Sequence, residues 1–339
     1  MNTKIIVTVG PSTSTAEVLN QIKNHNVDFI RVNMSHSDID YLEHFLLLSK
    51  KIGLPFILDT EGSQIRTGKV HNNYINFQKG DIIKIHKEPI IGNRGQLHIR
   101  PHQIIDQLEL DDKIHIDFDT LVAKVNDISS LSNGFITAEV VSSGFSRNDK
   151  AVTIKPKKDR RFKFDSALSE KDKESINLGL KHNVGYIAVS FVRKGEDIDE
   201  IRQATKNSMK IISKVECQDA LDNIDDIINK SDLILLDRGD LSKEIPIEKI
   251  PEIQKWIIKK SKEKNTPVII ATNLLESMIN SPRPTVAEIN DISNTILDGA
   301  WGLTLAAETA IGQYPIECIS TLKKTIDYTH SKLIKENSV

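Results

Sequence analysis

The chain has 339 residues, of which 39% are hydrophobic and 27% are charged, a composition typical of a soluble globular protein with room for more than one domain. Its formal net charge of −2 gives no bulk attraction to nucleic acid or to a membrane surface, no apolar run approaches the roughly 18 residues that cross a bilayer, and the N-terminus lacks the pattern of a signal peptide. The 2 cysteines are not in a metal-binding spacing, which favours a reducing, cytoplasmic setting without a disulfide framework.

Short apolar runs recur along the chain, and stretches with helical periodicity lie between them. The runs span residues 4–10, 29–34, 55–60, 185–192, 210–216, 233–239, 267–273 and 302–308. Because they are continuously apolar rather than alternating, they are typical of parallel strands buried on both faces. Helices are predicted over residues 169–182, 252–264, 285–299 and 316–334, with Ser169 as an N-cap and Gly299 as a stop signal. This repeat predicts an α/β fold, the (β/α)8 TIM barrel.

One connection breaks the repeat. About 100 residues separate the third and fourth strands, too many for a structureless loop. Stretches such as "DKIHIDFDTLVAKV" alternate apolar and polar residues between turn signals, which predicts a small all-β domain inserted between strand 3 and helix 3. We therefore expect a barrel domain over 1–68 and 151–339 and a β-barrel lid domain over 69–150, with no further domain after the closing helix.

Polar residues follow several of the predicted barrel strands, at the carboxyl ends that carry the working residues of this fold. Lys214 and Glu216 stand two apart on strand five and so face the same side. Asp240 follows strand six in "DLILLDRGD". Two carboxylates on adjacent strands, without His or Cys, suit Mg²⁺ or Mn²⁺ rather than zinc. Lys214 would be a fixed cation beside that metal.

Groups that bind anions accompany this predicted metal site. Arg31 and Arg66 are suited to bidentate binding of a phosphate or carboxylate. The backbone amides of Gly239 and Asp240 open a helix and can hold an anion. Metal, lysine and anion sites together predict a phosphorylated or carboxylated small substrate and a developing enolate that the cations stabilise.

Several long motifs resemble the pyruvate kinase family over nearly the whole chain. They are "TKIIVTVGPST", "RVNMSHSD", "LDTEGSQIRTG", "IISKVE", "DRGDL", "ATNLLESMINSPRPTVAE" and "ETAIGQYP". The resemblance implies a cytoplasmic enzyme of glycolysis that transfers the phosphoryl group of phosphoenolpyruvate to a nucleoside diphosphate and yields pyruvate through a metal-stabilised enolpyruvate. It also implies Mg²⁺ or Mn²⁺, leaves K⁺ open, and suggests a homodimer through the barrel without the family's C-terminal regulatory domain.

The resemblance further implies roles for the matching residues. Lys214, Arg31 and Thr272 would be catalytic, with Lys214, Thr272 and the amides of Gly239 and Asp240 binding the substrate. The remaining roles are the divalent metal for Glu216 and Asp240, a monovalent cation for Asn33, Ser35, Asp59 and Thr60, and nucleotide binding for Arg31, Asn33, His36, Arg66 and Lys150.

Departures from the family pattern are concentrated on the nucleotide side. Ile311 replaces a lysine, Ala306 replaces a serine, and Gln64 leaves potassium dependence undecided. Asp237 replaces a small residue next to the metal site. The residues therefore leave two enzymatic alternatives. One is a short pyruvate kinase, and the other uses the same metal–enolate site as a 2-oxo acid lyase or aldolase, or for phosphoryl transfer to a different acceptor. A catalytically inactive binding protein is disfavoured because Lys214, Glu216, Asp240 and Thr272 are retained together.

Overall fold

The computed structural model describes residues 3–117 and 119–336; the other positions of the predicted domains lie outside the described residues. Its β-strands, in chain order, are β1 (Lys4–Thr8), β2 (Phe29–Asn33), β3 (Phe56–Asp59), β4 (Arg66–Thr67), β5 (Ile75–Phe77), β6 (Ile82–His86), β7 (Gln96–Arg100), β8 (Lys113–Ile116), β9 (Leu121–Asp127), β10 (Phe135–Ser142), β11 (Gly144–Ser146), β12 (Val152–Lys155), β13 (Tyr186–Val189), β14 (Lys210–Val215), β15 (Leu233–Asp237), β16 (Val268–Ala271) and β17 (Gly302–Leu305).

The α-helices carry the end signals that the sequence predicts. Ser169 caps one of them, accepting a hydrogen bond from the Asp172 amide at 3.1 Å, and Gly299 ends another in the left-handed region at φ 105°. None of the described helices is long and apolar enough to cross a membrane. The helices are α1 (Ala16–Asn24), α2 (Ile39–Ile52), α3 (Gln103–Asp106), α4 (Glu170–Lys181), α5 (Gly195–Ala204), α6 (Gln218–Asp222), α7 (Ile224–Lys230), α8 (Arg238–Leu241), α9 (Ile250–Glu263), α10 (Val286–Asp298), α11 (Ala307–Ala310) and α12 (Pro315–Glu336).

The predicted barrel is confirmed. Parallel strands close into a ring in the order β1-β17-β16-β15-β14-β13-β3-β2, so each of the eight apolar runs forms a barrel strand. The barrel belongs to a compact unit made of residues 1–62 and 167–339. Because the runs are apolar on both faces, one face packs against the surrounding helices and the other fills the interior of the barrel.

Alternation along the strands brings polar side chains to one end of the barrel interior. Ile212 and Leu235 belong to the apolar cluster inside the barrel, whereas their neighbours Ile211 and Leu236 belong to the cluster between strands and helices. Two and four residues after Ile212 come Lys214 and Glu216, and two after Leu235 comes Asp237. The side chains that follow the interior positions therefore meet at the carboxyl end of the barrel.

The second compact unit spans residues 63–166, and it is wider than the predicted insert of 69–150. Its main sheet has the order β12-β8-β9-β10-β6-β7-β4, and a single bridge between Arg66 and Ala151 links the two ends of that sheet. The unit includes both flanks because β4 pairs with β7 and β12 pairs with β8, and these pairings between distant strands leave no local signal in the sequence. The unit also contains one short helix, α3, although the sequence predicted β structure throughout.

Candidate active site

Lys214 is the buried cation at the carboxyl end of the barrel. The residue is only 3% exposed. Its Nζ lies 2.9 Å from Glu216 Oε1 and 3.2 Å from Asp59 Oδ1. It also donates a hydrogen bond of 2.8 Å to Ser190 Oγ. Burial lowers the pKa of a lysine, but the carboxylates of Asp59 and Glu216 outweigh it, so the pKa of Lys214 is held above its ordinary value. Lys214 is therefore a permanent positive charge in a site with little access to water.

Asp59 joins this lysine to Arg31. Arg31 Nη1 lies 2.9 Å from Asp59 Oδ2, and Arg31 Nε donates to Thr8 Oγ1 at 2.8 Å. Among the described residues, Nη2 of Arg31 makes no hydrogen bond. The family resemblance implies that Asp59 binds a monovalent cation, and in the structure each of its oxygens lies beside a cationic side chain of the protein. Asp59 thus fixes the distance between Lys214 and Arg31, the two cations expected to bind negatively charged groups of the substrate.

The other residues of the expected monovalent site lie at the ends of β2 and β3 and are partly engaged. Asn33 Oδ1 accepts a hydrogen bond from the Ser35 amide at 2.9 Å. Thr60 Oγ1 accepts from the Ser190 amide at 3.1 Å, and the Thr60 carbonyl accepts from Ser190 Oγ at 2.7 Å. These contacts hold the loops that follow the two strands.

Three carboxylates stand together beside Lys214. One oxygen from each of Glu216, Asp237 and Asp240 lies within 4.8 Å of the others. Oε2 of Glu216 accepts a hydrogen bond from the Phe191 amide at 2.8 Å. Burial, opposed by Lys214 and reinforced by the other two carboxylates, raises the pKa of Glu216 above its ordinary value. Hard oxygen donors that repel one another in this way fit a divalent cation such as Mg²⁺ or Mn²⁺.

The two amides expected to hold a substrate anion already have acceptors within the protein. Asp237 caps the short helix α8, because its Oδ1 accepts from the Asp240 amide at 3.2 Å. The Gly239 amide donates to Thr272 Oγ1 at 2.8 Å, and that hydroxyl in turn lies 3.2 Å from Asp237 Oδ1. Burial, with a smaller contribution from Asp240, raises the pKa of Asp237.

Arg238 holds the backbone of the loop after β16. Its Nη2 donates to the carbonyls of Thr272 at 2.6 Å and Asn273 at 3.0 Å, and its Nη1 lies 2.8 Å from Asp291 Oδ2 on α10. Thr272 and Asn273 have φ values of 68° and 53°, and the left-handed region is costly for a β-branched residue. Arg238 therefore positions Thr272.

The residues expected on the nucleotide side are separated between the two compact units. His36 is exposed in the loop after β2. Arg66 and Lys150 belong to the second unit, where Arg66 donates to the Asp149 carbonyl at 2.7 Å and Lys150 lies 3.6 Å from Asp117. Their part in nucleotide binding stays a prediction.

Sequence reasoning missed two groups of the site. Ser190 contacts Lys214 but is hidden inside an apolar run, and only its position at the end of β13 could have drawn attention to it. Asp237 was noticed as a departure but not as a member of the carboxylate group, because its strand position was read without the register of β14 beside β15.

Comparison with known proteins agrees with the fold. The family model "Pyruvate kinase, barrel domain" matches residues 1–319. The pyruvate kinase of Thermotoga maritima is 36% identical over 98% of this chain and 72% of that protein, and the pyruvate kinase of Geobacillus stearothermophilus is 33% identical over 94% of this chain and 55% of that protein. The crystal structure of a pyruvate kinase from Cryptosporidium parvum superposes with a TM-score of 0.83 at 30% identity, covering 97% of this chain and 69% of that one. The chain thus spans between just over half and about three quarters of these relatives.

Proposed function

The chain belongs to the pyruvate kinase family, and on that premise we propose that it transfers the phosphoryl group of phosphoenolpyruvate to a nucleoside diphosphate. The observation that carries the proposal is the buried Lys214, held between Asp59 and Glu216 and next to the three carboxylates. A fixed cation adjoining a group of hard oxygen ligands suits a reaction in which negative charge develops on an enol oxygen.

A divalent cation fits the carboxylates, since their donors are all oxygens and their mutual repulsion is relieved by positive charge. We propose that Glu216 and Asp240 hold Mg²⁺ or Mn²⁺. When bound, the cation would supply Lewis-acid stabilisation of the substrate's oxygens.

The protein groups then have separate tasks. Lys214 places its charge where the enolate oxygen develops, and because Asp59 and Glu216 hold it, little reorganisation is needed during the reaction. Arg31 turns its unengaged Nη2 toward the transferred phosphoryl group, while Asp59 fixes the rest of the guanidinium. Thr272, held by Arg238, orients the substrate carboxylate.

We further propose that oxygens of Asn33, Ser35, Asp59 and Thr60 serve a monovalent cation such as K⁺. Their position at the ends of the neighbouring strands β2 and β3 supports the assignment. The rate in K⁺ compared with the rate in tetramethylammonium at equal ionic strength tests it, and equal rates would contradict it.

A coupled assay tests the proposed activity. The protein is incubated with phosphoenolpyruvate, Mg²⁺ and each of several nucleoside diphosphates, and pyruvate is followed through lactate dehydrogenase. We expect metal-dependent pyruvate formation with at least one of them. Failure with every nucleotide would overturn the proposal, and metal-dependent release of pyruvate from a 4-hydroxy-2-oxo acid would instead support a lyase at the same site.

A further inference from the structure

Asp237 is a buried carboxylate without an ion pair. It is 5% exposed, and no cation of the described residues lies within 4.0 Å of it. Lys214, on the neighbouring strand β14, contacts Glu216 and Asp59 instead. Leaving a carboxylate charged and unpaired in such surroundings is costly, and the usual remedies are a cation or a proton.

The two oxygens of Asp237 differ in their surroundings. Oδ1 accepts the Asp240 amide and lies 3.2 Å from the Thr272 hydroxyl. Oδ2 makes no hydrogen bond with any described residue. An oxygen of Asp237 also lies within 4.8 Å of ligand atoms on Glu216 and Asp240. One oxygen of the side chain is thus engaged, while the other has no hydrogen-bond partner among the described residues and is available as a ligand.

We propose that Asp237 is a third carboxylate ligand at the divalent cation site of this chain. The inference rests on the proposed function and concerns binding rather than turnover. A third anionic oxygen ligand increases affinity for a hard divalent cation, because affinity at such sites rises with the charge of the ligands. The protein therefore binds Mg²⁺ or Mn²⁺ before any substrate supplies ligands of its own.

The same side chain weakens binding of a carboxylate substrate. Asp237 Oδ1 occupies the Asp240 amide, one of the two donors expected to hold the substrate carboxylate, and its negative charge repels that carboxylate. Asp237 therefore has opposite effects on the two ligands, tightening the metal and loosening the carboxylate.

Two variants separate these effects. Asp237→Asn removes the charge but keeps an oxygen that can accept from the Asp240 amide, whereas Asp237→Ala removes both the charge and the acceptor. Glu263→Gln is the matched control, since it removes one acidic charge at the exposed carboxyl end of α9, which leads into the opposite end of the barrel. Mn²⁺ alone is titrated into each protein, and free Mn²⁺ is measured by electron paramagnetic resonance.

We expect both Asp237 variants to bind Mn²⁺ about tenfold more weakly or worse, and the control to match wild type. At saturating Mn²⁺, calorimetry with oxalate as the carboxylate ligand should show tighter binding for Asp237→Ala than for wild type, with Asp237→Asn between the two. Unchanged Mn²⁺ affinity in both variants, or no Mn²⁺ binding by wild type at millimolar concentration, would overturn the proposal. Because the experiment measures binding and not turnover, it tests the role of Asp237 even if the protein has no kinase activity.

Discussion

Replacing Lys214 with methionine removes the charge at the centre of the site while keeping most of the side-chain volume. In the native protein this charge faces Glu216 at 2.9 Å and Asp59 at 3.2 Å. Asp59 keeps Arg31 as a partner in the variant, so the loss falls mainly on Glu216.

The size of the effect follows from these distances. At an effective dielectric constant of about 20, each contact is a gross attraction of roughly 5 kcal/mol, part of which offsets the desolvation of the charges. Removing one partner of a buried ion pair costs about 3–5 kcal/mol of folding free energy. Loss of a preorganised charge at the reacting oxygen costs about a hundredfold to a thousandfold in kcat.

Urea denaturation followed by tryptophan fluorescence measures the first quantity, and the coupled pyruvate assay measures the second. Lys210→Met is the control, since Lys210 lies on the same strand, is exposed, and places its Nζ over the ring of Tyr186 at 5.7 Å. We expect the control to change stability by less than about 1 kcal/mol and kcat by less than about twofold. If Lys214→Met behaved like the control in both measurements, the role given to this cation would be wrong.

Further predictions concern an ion pair and two single residues. Arg238 and Asp291 form a partly buried ion pair, so a double-mutant cycle of Arg238→Ala and Asp291→Ala should give a coupling of about 1–3 kcal/mol in urea denaturation, and additive effects would contradict the pairing. His98 is buried in the second unit and its pKa is lowered, chiefly by burial, so the unfolded chain takes up a proton below about pH 6.5 that the folded chain does not. The free energy of unfolding is therefore at its full value above that pH and falls as the pH drops. His98→Gln should make the free energy of unfolding, measured by urea denaturation, depend less steeply on pH between pH 6.5 and 5. An unchanged pH dependence would contradict the effect given to His98. Ile311 is 62% exposed where the family resemblance expects a lysine, so Ile311→Lys should lower the KM for the nucleotide about tenfold, and an unchanged KM would remove this position from the nucleotide site.

Much of the fold was readable from the sequence because the signals are local. Buried parallel strands require continuous apolar runs, and helix ends require particular residues, so the barrel, the Ser169 cap and the Gly299 stop could be predicted. The boundaries of the second unit could not, because they depend on pairings between distant strands, such as β12 with β8.

The site was readable only in part for the same reason. The ends of the strands indicate which residues come together at the carboxyl end of the barrel, so Lys214, Glu216 and Asp240 could be predicted as neighbours. They do not reveal which charges pair. The contact between Lys214 and Asp59 joins strands that lie on opposite sides of β13 in the ring, and the capping of the Asp240 amide depends on one side-chain rotamer of Asp237. Side-chain packing determines such contacts, and the hydrophobic periodicity of the sequence does not predict them.

The central claim is that this site moves a phosphoryl group from phosphoenolpyruvate to a nucleoside diphosphate. Phosphorus NMR of wild type and Lys214→Met, each incubated with both substrates and Mg²⁺, follows the donor and the acceptor in one spectrum. We predict that with wild type the phosphoenolpyruvate signal declines as the γ-phosphate signal of a nucleoside triphosphate grows, and that the variant leaves both signals almost unchanged. Persistence of the phosphoenolpyruvate signal with wild type, or its conversion to inorganic phosphate alone, would contradict the claim.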